Sequence, residues 1–312
     1  EPVFFLKGSD TMDQLIKAVT TNGMLRIFAV TTKDTVNTAQ KLHGLYPVAS
    51  AALGRMLTAG LMMGADLKDS NARITLQMKG NGPLGKVVVV AAPDGWVKGC
   101  VDFPAVDLPL RKDGKLNVGQ AIGKNGYFGV IKDLRMKEPY IGQVPIQTGE
   151  IGDDLVYYFM QSEQIPSVVG LGVLVGTDCS IEQAGGFIIQ VMPDCEEEYL
   201  TRLEKRAGEL ESVTELLSRG LDTEGLLRHI MQGFEIEILE QKEVRFSCDC
   251  SQDRMERVLI SLGEQELTDI IKEQHEAEIV CHFCNTKYNF SETALQDLKT
   301  RCAVDKKFAK AR

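Results

Sequence analysis

Residues 244–290 read VRFSCDCSQDRMERVLISLGEQELTDIIKEQHEAEIVCHFCNTKYNF, a stretch with two closely spaced pairs of cysteines. Cys248 and Cys250 form the first pair, and Cys281 and Cys284 form the second. Thiolates are soft metal ligands, and four of them complete a tetrahedral shell around Zn²⁺. The two pairs therefore predict one zinc site with these four cysteines as its ligands.

The first pair departs from the usual spacing of zinc ligands. One residue separates Cys248 from Cys250, whereas common zinc ribbons carry Cys-x-x-Cys. Neighbouring cysteines also oxidise to disulfides, so a redox pair is a second interpretation, and both can hold for one protein. His282 is not expected to be a ligand, because four thiolates already fill the shell.

The composition is that of a soluble globular protein, with 44% hydrophobic and 25% charged residues. The 312 residues suffice for two domains, or for one large core with an appendage. The formal net charge of −9 argues against a general binder of nucleic acid or anionic membranes. No apolar run approaches the ~18 residues of a membrane span. We therefore expect neither nucleic acid nor a membrane among its partners.

The start of the sequence lacks the features of a secretory signal. Glu1 to Leu6 is short and has no basic region. Met12 is interpreted as the natural start, preceded by an extension, Glu1 to Thr11. A cytoplasmic location is expected, where paired cysteines indicate metal or redox chemistry. Four further cysteines are scattered without evident pairing, and their role stays open: Cys100, Cys179, Cys195 and Cys302.

The N-terminal part, residues 12–193, is predicted to be a β-rich domain of the α+β class with packed helices. Runs of strands with few crossover helices indicate largely antiparallel sheet. Strands are predicted at 23–30, 73–79, 87–92, 96–101, 115–118, 126–132, 168–175 and 185–192. Helices are predicted at 14–21, 36–43, 47–66 and 153–162. The helix at 47–66 is rich in small residues and is interpreted as a buried central helix.

No catalytic constellation emerges in this domain. Residues 80–85, GNGPLG, match a dinucleotide-binding pattern, but they lie between two predicted strands, so we interpret them as a glycine turn. His43 precedes Gly44 and is expected at a helix end. The chain is therefore not predicted to be an enzyme.

Residues 194–243, the linker segment, differ in composition from the domain before them. They hold 14 acidic and 6 basic residues, a net charge of −8. Their apolar residues recur at helical spacing, but glycines divide them into short helices that are marginal when isolated. The segment is either an ordinary solvated helical linker or one that is poised to unfold.

Residues 244–300 are predicted to be a small C-terminal zinc-binding domain. Ser251 is an expected N-cap for a helix to about Leu262, and a second helix and a hairpin follow. A core of this size rarely contributes more than ~3–5 kcal/mol, whereas structural zinc contributes ~10–16 kcal/mol. Loss of the metal should therefore unfold this domain.

The sequence resembles the heat shock protein 33 family of bacterial redox-regulated chaperones. The resemblance rests on CDC at 248–250, CHFC at 281–284, SEQIPS at 162–167 and AGGF at 184–187. It covers about Met12 to Lys299, nearly the whole chain.

The resemblance implies an ATP-independent holdase. The reduced protein would hold one Zn²⁺ per chain through Cys248, Cys250, Cys281 and Cys284 and be inactive. Peroxide or hypochlorous acid would oxidise these cysteines and expel zinc, and the linker segment would unfold. The oxidised protein would bind unfolding client proteins, often as a homodimer. We predict disulfides Cys248–Cys250 and Cys281–Cys284 for this state, because local pairing is entropically easier once the metal has left.

Two other classes stay open from the sequence. A zinc-ribbon adaptor would have a basic ribbon face and no response to peroxide. A thiol–disulfide oxidoreductase would place Cys281 and Cys284 at the start of a helix in a βαβ unit. The predicted strand–turn–strand context of that pair favours the chaperone over the oxidoreductase.

Overall fold

Helix α2 (Pro47–Gly64) is buried along almost its whole length between two β-sheets. Pro47 lies in its first turn, where a residue without an N–H group is tolerated. Small residues allow the close packing: a Cβ added at Gly60 would lie 2.8 Å from Cγ1 of Val89. The prediction of a buried central helix is confirmed.

The structure is a computed structural model that describes residues 12–309, with side chains described as far as Cys302. These residues form two compact units, one ending at Ser247 and the other beginning at Cys248. The expectation for Glu1 to Thr11 lies outside the described residues.

The strands of the first unit form two sheets. They are β1 (Gln14–Thr20), β2 (Leu25–Thr31), β3 (Arg73–Lys79), β4 (Lys86–Ala91), β5 (Trp96–Val101), β6 (Tyr127–Asp133), β7 (Tyr140–Pro145), β8 (Ser167–Val175), β9 (Ile181–Val191), β10 (Ile236–Glu243) and β11 (Arg245–Phe246). The five-stranded sheet has the order β10-β1-β2-β9-β8, and the six-stranded sheet has the order β11-β5-β4-β3-β6-β7. Pairing is antiparallel except between β5 and β11, so the predicted α+β class with largely antiparallel sheet is confirmed.

Short helices connect these strands and cover their faces. They are α1 (Lys33–His43), α3 (Val118–Ile122), α4 (Ile151–Tyr158) continued by a π-helical turn (Phe159–Glu163), α5 (Glu197–Gly208), α6 (Val213–Ser218) and α7 (Thr223–Ile230). Within residues 12–309, no helix is both long and apolar enough to cross a membrane.

Strand β1 corrects the prediction of a helix at 14–21. Its two edges pair with β2 and β10, and its two faces are both buried, each in a different apolar cluster. Leu15 packs towards α2, and its neighbour Ile16 packs towards the helices on the opposite face. Adjacent apolar residues are expected in a strand that is buried on both faces, and the same spacing imitates a helical stripe.

Two smaller differences follow from local chemistry. The strand predicted at 115–118 is absent, and Asn117 instead caps α3 by accepting a hydrogen bond from the backbone N–H of Gln120. Strand β7 was missed, because Gly142 and Pro145 both disfavour strands in sequence patterns.

The glycine-rich residues 80–85 form the turn between β3 and β4, as expected. A Cβ at Gly80 would lie 2.2 Å from the carbonyl oxygen of Ile122, and one at Gly82 would lie 2.3 Å from that of Ala121. The glycines therefore allow the backbone of this turn to approach α3 closely.

The linker segment packs onto the five-stranded sheet and belongs to the first compact unit. It is not helical throughout, because its last residues form β10, which pairs with β1. The compact units therefore divide at Ser247, whereas the predicted regions were 12–193, 194–243 and 244–300. That three-part division stays a prediction about which segment can separate from the rest.

The second unit contains α8 (Gln252–Leu262), α9 (Glu264–Gln274), the hairpin β12 (Glu276–Val280) and β13 (Lys287–Ser291), and α10 (Glu292–Ala309). Ser251 caps α8 as predicted, its hydroxyl accepting a hydrogen bond of 3.3 Å from the backbone N–H of Arg254. The core is small, and its buried apolar side chains are Met255, Leu259, Leu267, Phe290, Leu295 and Leu298.

Candidate metal centre

The second cysteine pair lies in the turn between β12 and β13. The backbone N–H groups of Cys284 and Asn285 donate to the carbonyl of Cys281, at 3.2 and 2.7 Å. Asn285 has a left-handed conformation, with φ of 57°, which asparagine tolerates better than most residues. The turn thereby brings both sulfurs of the pair to one side of the hairpin, and it contains no helix N-terminus.

The first cysteine pair immediately precedes α8. Asp249, between the two cysteines, accepts a charge-assisted hydrogen bond of 3.0 Å from Arg254 in the first turn of that helix. With the Ser251 cap, this contact fixes the path of the chain through Cys248 and Cys250.

The four sulfur atoms of Cys248, Cys250, Cys281 and Cys284 converge and lie within 4.8 Å of one another. Sγ of Cys248 lies 3.7 Å from Sγ of Cys281, and Sγ of Cys250 lies 3.3 Å from Sγ of Cys284. A tetrahedral site with Zn–S bonds of about 2.3 Å would have sulfur–sulfur edges of about 3.8 Å. The sulfur cluster therefore fits a metal ion of this size and softness.

Two hydroxyl groups contact the sulfur cluster from the second hairpin strand and the turn before it. The phenol of Tyr288 donates a hydrogen bond of 3.1 Å to Sγ of Cys250. Oγ1 of Thr286 lies 3.1 Å from Sγ of Cys284. Neither residue was predicted from the sequence, although hydroxyl side chains two and four positions after Cys284 are a signal that the sequence contains.

The thiols of the sulfur cluster differ in their tendency to ionise. Burial raises the pKa of Cys248 and also that of Cys250. Burial likewise acts to raise the pKa of Cys284, but hydrogen bonds from Thr286, Cys250 and Cys281 together outweigh it and lower the pKa to about 7. Since a metal binds thiolates, binding would release the protons that the raised pKa values retain.

The remaining residues that the sequence analysis singled out do not join this group. Within the described residues, His282 is exposed and lies outside the set of potential ligands, as expected. His43 ends α1, also as expected. Of the other cysteines, Cys302 lies in α10, and the first unit holds Cys100, Cys179 and Cys195.

Comparison with known proteins gives consistent results. The family model described as Hsp33 protein matches residues 13–291. A 33 kDa chaperonin of Caldanaerobacter subterraneus subsp. tengcongensis is 50% identical over 286 residues, which covers 92% of this chain and 97% of the relative. A 33 kDa chaperonin of Clostridium perfringens is 51% identical over 281 residues, covering 90% of this chain and 89% of the relative.

A solved structure is also similar to this chain. It is the 33 kDa chaperonin, or heat shock protein 33 homolog, of Thermotoga maritima, with a TM-score of 0.86 and 35% identity. The alignment covers 95% of this chain and 100% of that structure.

Proposed function

The chain belongs to the Hsp33 family. We propose that it is a chaperone and that oxidation of its sulfur cluster activates it. The observation that carries the proposal is the convergence of four thiols within 4.8 Å in a unit with a small core. The reduced protein binds one zinc ion through Cys248, Cys250, Cys281 and Cys284 and holds no client.

The metal accounts for the stability of the second unit. When bound, zinc supplies ~10–16 kcal/mol of binding free energy, more than the ~3–5 kcal/mol expected from so small a core. The four cysteines come from two segments more than thirty residues apart, so their ligation closes the fold of this unit.

Oxidation removes the ligands. Two thiolates, one hydrogen peroxide molecule and two protons give one disulfide and two water molecules. A disulfide sulfur is a poor ligand, so the unit loses its metal and unfolds. We assign the disulfides to Cys248–Cys250 and Cys281–Cys284, and this redox step requires no catalytic residue and no ATP.

The linker segment supports the next step. Its helices are short, α6 having 6 residues and α7 having 8, and such helices are marginal without tertiary packing. They cover an apolar face of the five-stranded sheet, and residues 194–243 connect directly to the second unit through β11. Release of this segment would expose buried apolar side chains of both surfaces: Ile16, Ile27, Phe187 and Ile189 on the sheet, and Leu203, Leu216, Leu227 and Ile230 on the helices.

We assign this newly exposed apolar surface as the binding surface for unfolding client proteins. The same surface would favour a homodimer after oxidation, which sedimentation velocity before and after peroxide would detect.

The net charge of −9 supports the absence of tight nucleic-acid binding, and a gel shift with sub-micromolar affinity at physiological salt would contradict it. We assign the protein to the cytoplasm, where a fractionation experiment should find it.

An aggregation assay tests the proposal. The reduced, zinc-loaded chain and the peroxide-treated chain are each added, without ATP, to a thermally unfolding client whose light scattering is followed. We expect suppression only after oxidation, reversed by a reductant. The matched control is Cys179→Ser, which removes a thiol outside the sulfur cluster and should respond like the parent. Equal suppression by reduced and oxidised protein would refute redox control, and suppression by neither would refute the chaperone.

A further inference from the structure

Each cysteine pair has one sulfur that contacts a hydroxyl group. In the first pair this is Cys250, which accepts from Tyr288 at 3.1 Å. In the second pair it is Cys284, whose Sγ lies 3.1 Å from Oγ1 of Thr286. Among side chains through Cys302, no hydroxyl group makes a hydrogen bond to Sγ of Cys248 or Cys281. The sulfur cluster is therefore asymmetric within both pairs.

The hairpin fixes the backbone of both residues that carry these hydroxyl groups. Tyr288 pairs with Ile279 across the hairpin and is half-buried, and it packs on the core of the second unit. The carbonyl of Thr286 accepts a hydrogen bond of 2.9 Å from the backbone N–H of Cys281, which fixes that residue beside the turn. Both residues are thus part of the hairpin that positions Cys281 and Cys284.

A hydrogen bond to a thiolate changes its chemistry. The donor draws electron density from the sulfur, so the thiolate is a weaker nucleophile towards an oxidant. The same hydrogen bonds to metal-bound sulfurs tune the properties of a metal centre from outside the ligand set. A bound metal keeps the sulfur ionised whether or not the donor is present, so the ionised fraction does not change. Under that condition a thiolate that has lost its donor becomes more basic, and its reactivity rises with its basicity.

We propose that Tyr288 and Thr286 are positioning residues that slow the oxidation of Cys250 and Cys284 and so set the oxidant level to which the sulfur cluster responds. This inference rests on the proposed redox function. The oxidant is a hydroperoxide such as hydrogen peroxide. Neither hydroxyl group is a ligand; each acts through the sulfur that it contacts.

The step that the hydroxyl groups restrain is the first attack. The Cys250 thiolate attacks one peroxide oxygen, an S–O bond forms, and the O–O bond breaks. The departing hydroxide takes a proton and becomes water, and the sulfur, oxidised by two electrons, is left as a sulfenic acid. A neighbouring thiolate then forms the S–S bond, and the second hydroxide leaves and is protonated to water.

The test compares Tyr288→Phe and Thr286→Val, which remove the hydroxyl groups with little change of shape. The matched control is Asn289→Ser, an exposed change on the same strand. Zinc-loaded full-length protein is exposed to dilute peroxide and quenched at intervals with an isotope-labelled alkylating reagent. Mass spectrometry then gives the oxidation rate of each cysteine.

We expect Tyr288→Phe to raise the rate at Cys250 about threefold, and Thr286→Val to raise the rate at Cys284 by a similar factor. The control should match the parent. A merely structural role would accelerate all four cysteines together in either variant, and this result would overturn the proposal, as would unchanged rates at Cys250 and Cys284.

A spectroscopic measurement guards against a general loss of structure in the variants. Cobalt(II) is substituted for zinc, and its visible bands report whether the site is still tetrahedral. The sulfur-to-cobalt charge-transfer band should move to lower energy in both hydroxyl variants, because the thiolate gains electron density; an unmoved band would count against the proposal.

The proposed redox function and the proposed role of the two hydroxyl groups can be disproved separately. If the parent keeps its zinc under peroxide, the proposed redox function is wrong. The cysteine-resolved rates and the cobalt spectra still determine whether the hydroxyl groups act on Cys250 and Cys284, because both are read at the sulfur atoms and not from metal release.

Discussion

Sγ of Cys250 lies 3.3 Å from Sγ of Cys284, although 34 residues separate the two cysteines in the sequence. Sγ of Cys248 likewise lies 3.7 Å from Sγ of Cys281, so this contact also joins one pair to the other. Both of these sulfur contacts cross between the pairs, whereas the disulfides that we predict are local. The pairing after oxidation depends on whether the two segments separate before the second sulfur reacts.

We expect the oxidised protein to contain Cys248–Cys250 and Cys281–Cys284. Once the metal leaves, closing a loop of three or four residues costs less entropy than closing one of more than thirty. Local bonds also leave the two segments free to move apart. Peptide mapping by mass spectrometry after peroxide treatment reads the pairing directly. A dominant Cys250–Cys284 link would staple the unit and contradict activation by unfolding.

Elemental analysis should find one zinc ion per reduced chain. Replacement of Cys284 with serine should reduce this below half an equivalent, because three thiolates leave the tetrahedral shell open. Hydrogen exchange should show that residues 248–309 lose protection while residues 12–247 keep it, since the two units have separate cores. Cys179→Ser should retain its zinc. Full zinc occupancy in Cys284→Ser would disprove the assigned ligand set.

Leu227→Ala should loosen the linker segment in the reduced protein. Leu227 is fully buried in the apolar cluster between α7 and the sheet, so truncation should cost about 2–5 kcal/mol. The expected result is faster hydrogen exchange over 194–243 and suppression of client aggregation without oxidant.

The matched control for this change is Leu239→Ala, in the same segment. Leu239 is 54% exposed, so its truncation should leave both measurements close to the parent. If Leu227→Ala loosens the segment but the reduced variant still fails to hold clients, exposure of this surface is not the activating event.

Because of Asp13, the first unit should be more stable at mildly acidic pH than at neutral pH. Its carboxylate is buried and accepts a 2.7 Å hydrogen bond from the backbone N–H of Thr35 near the start of α1. Burial raises its pKa to about 6, with the Thr35 hydrogen bond opposing this only in part. The folded state therefore binds a proton that the unfolded state has released, and stability falls as the pH rises from about 4 to above 6.

The contribution of Asp13 to the free energy of unfolding should be about 2 kcal/mol smaller at pH 7.5 than at pH 4.5. Urea unfolding followed by fluorescence of Trp96, the single tryptophan, measures it at both pH values. Asp13→Asn should abolish this part of the pH dependence, whereas Asp107→Asn, an exposed change, should retain it. An unchanged pH dependence in Asp13→Asn would show that this carboxyl is not the titrating group.

Local patterns in the sequence were sufficient to predict two cysteine pairs and several of the helices and strands. Cysteines with one or two residues between them present their sulfurs together whatever the surrounding fold, so each of the two pairs could be recognised from spacing alone. The meeting of the two pairs depends on the fold of the second unit. The small residues of α2 and the cap at Ser251 act within one helix, and both predictions were confirmed.

Features that depend on residues distant in the sequence were decided only by the tertiary structure. Leu15 and Ile16 are compatible with either a helix or a doubly covered strand, and pairing with β10, more than 200 residues away, selects the strand. The same pairing places the linker segment on the first unit. The contact of Tyr288 with Cys250 likewise spans 38 residues. Such contacts follow from where the folded backbone brings two segments together, and no local period or spacing in the sequence encodes that meeting.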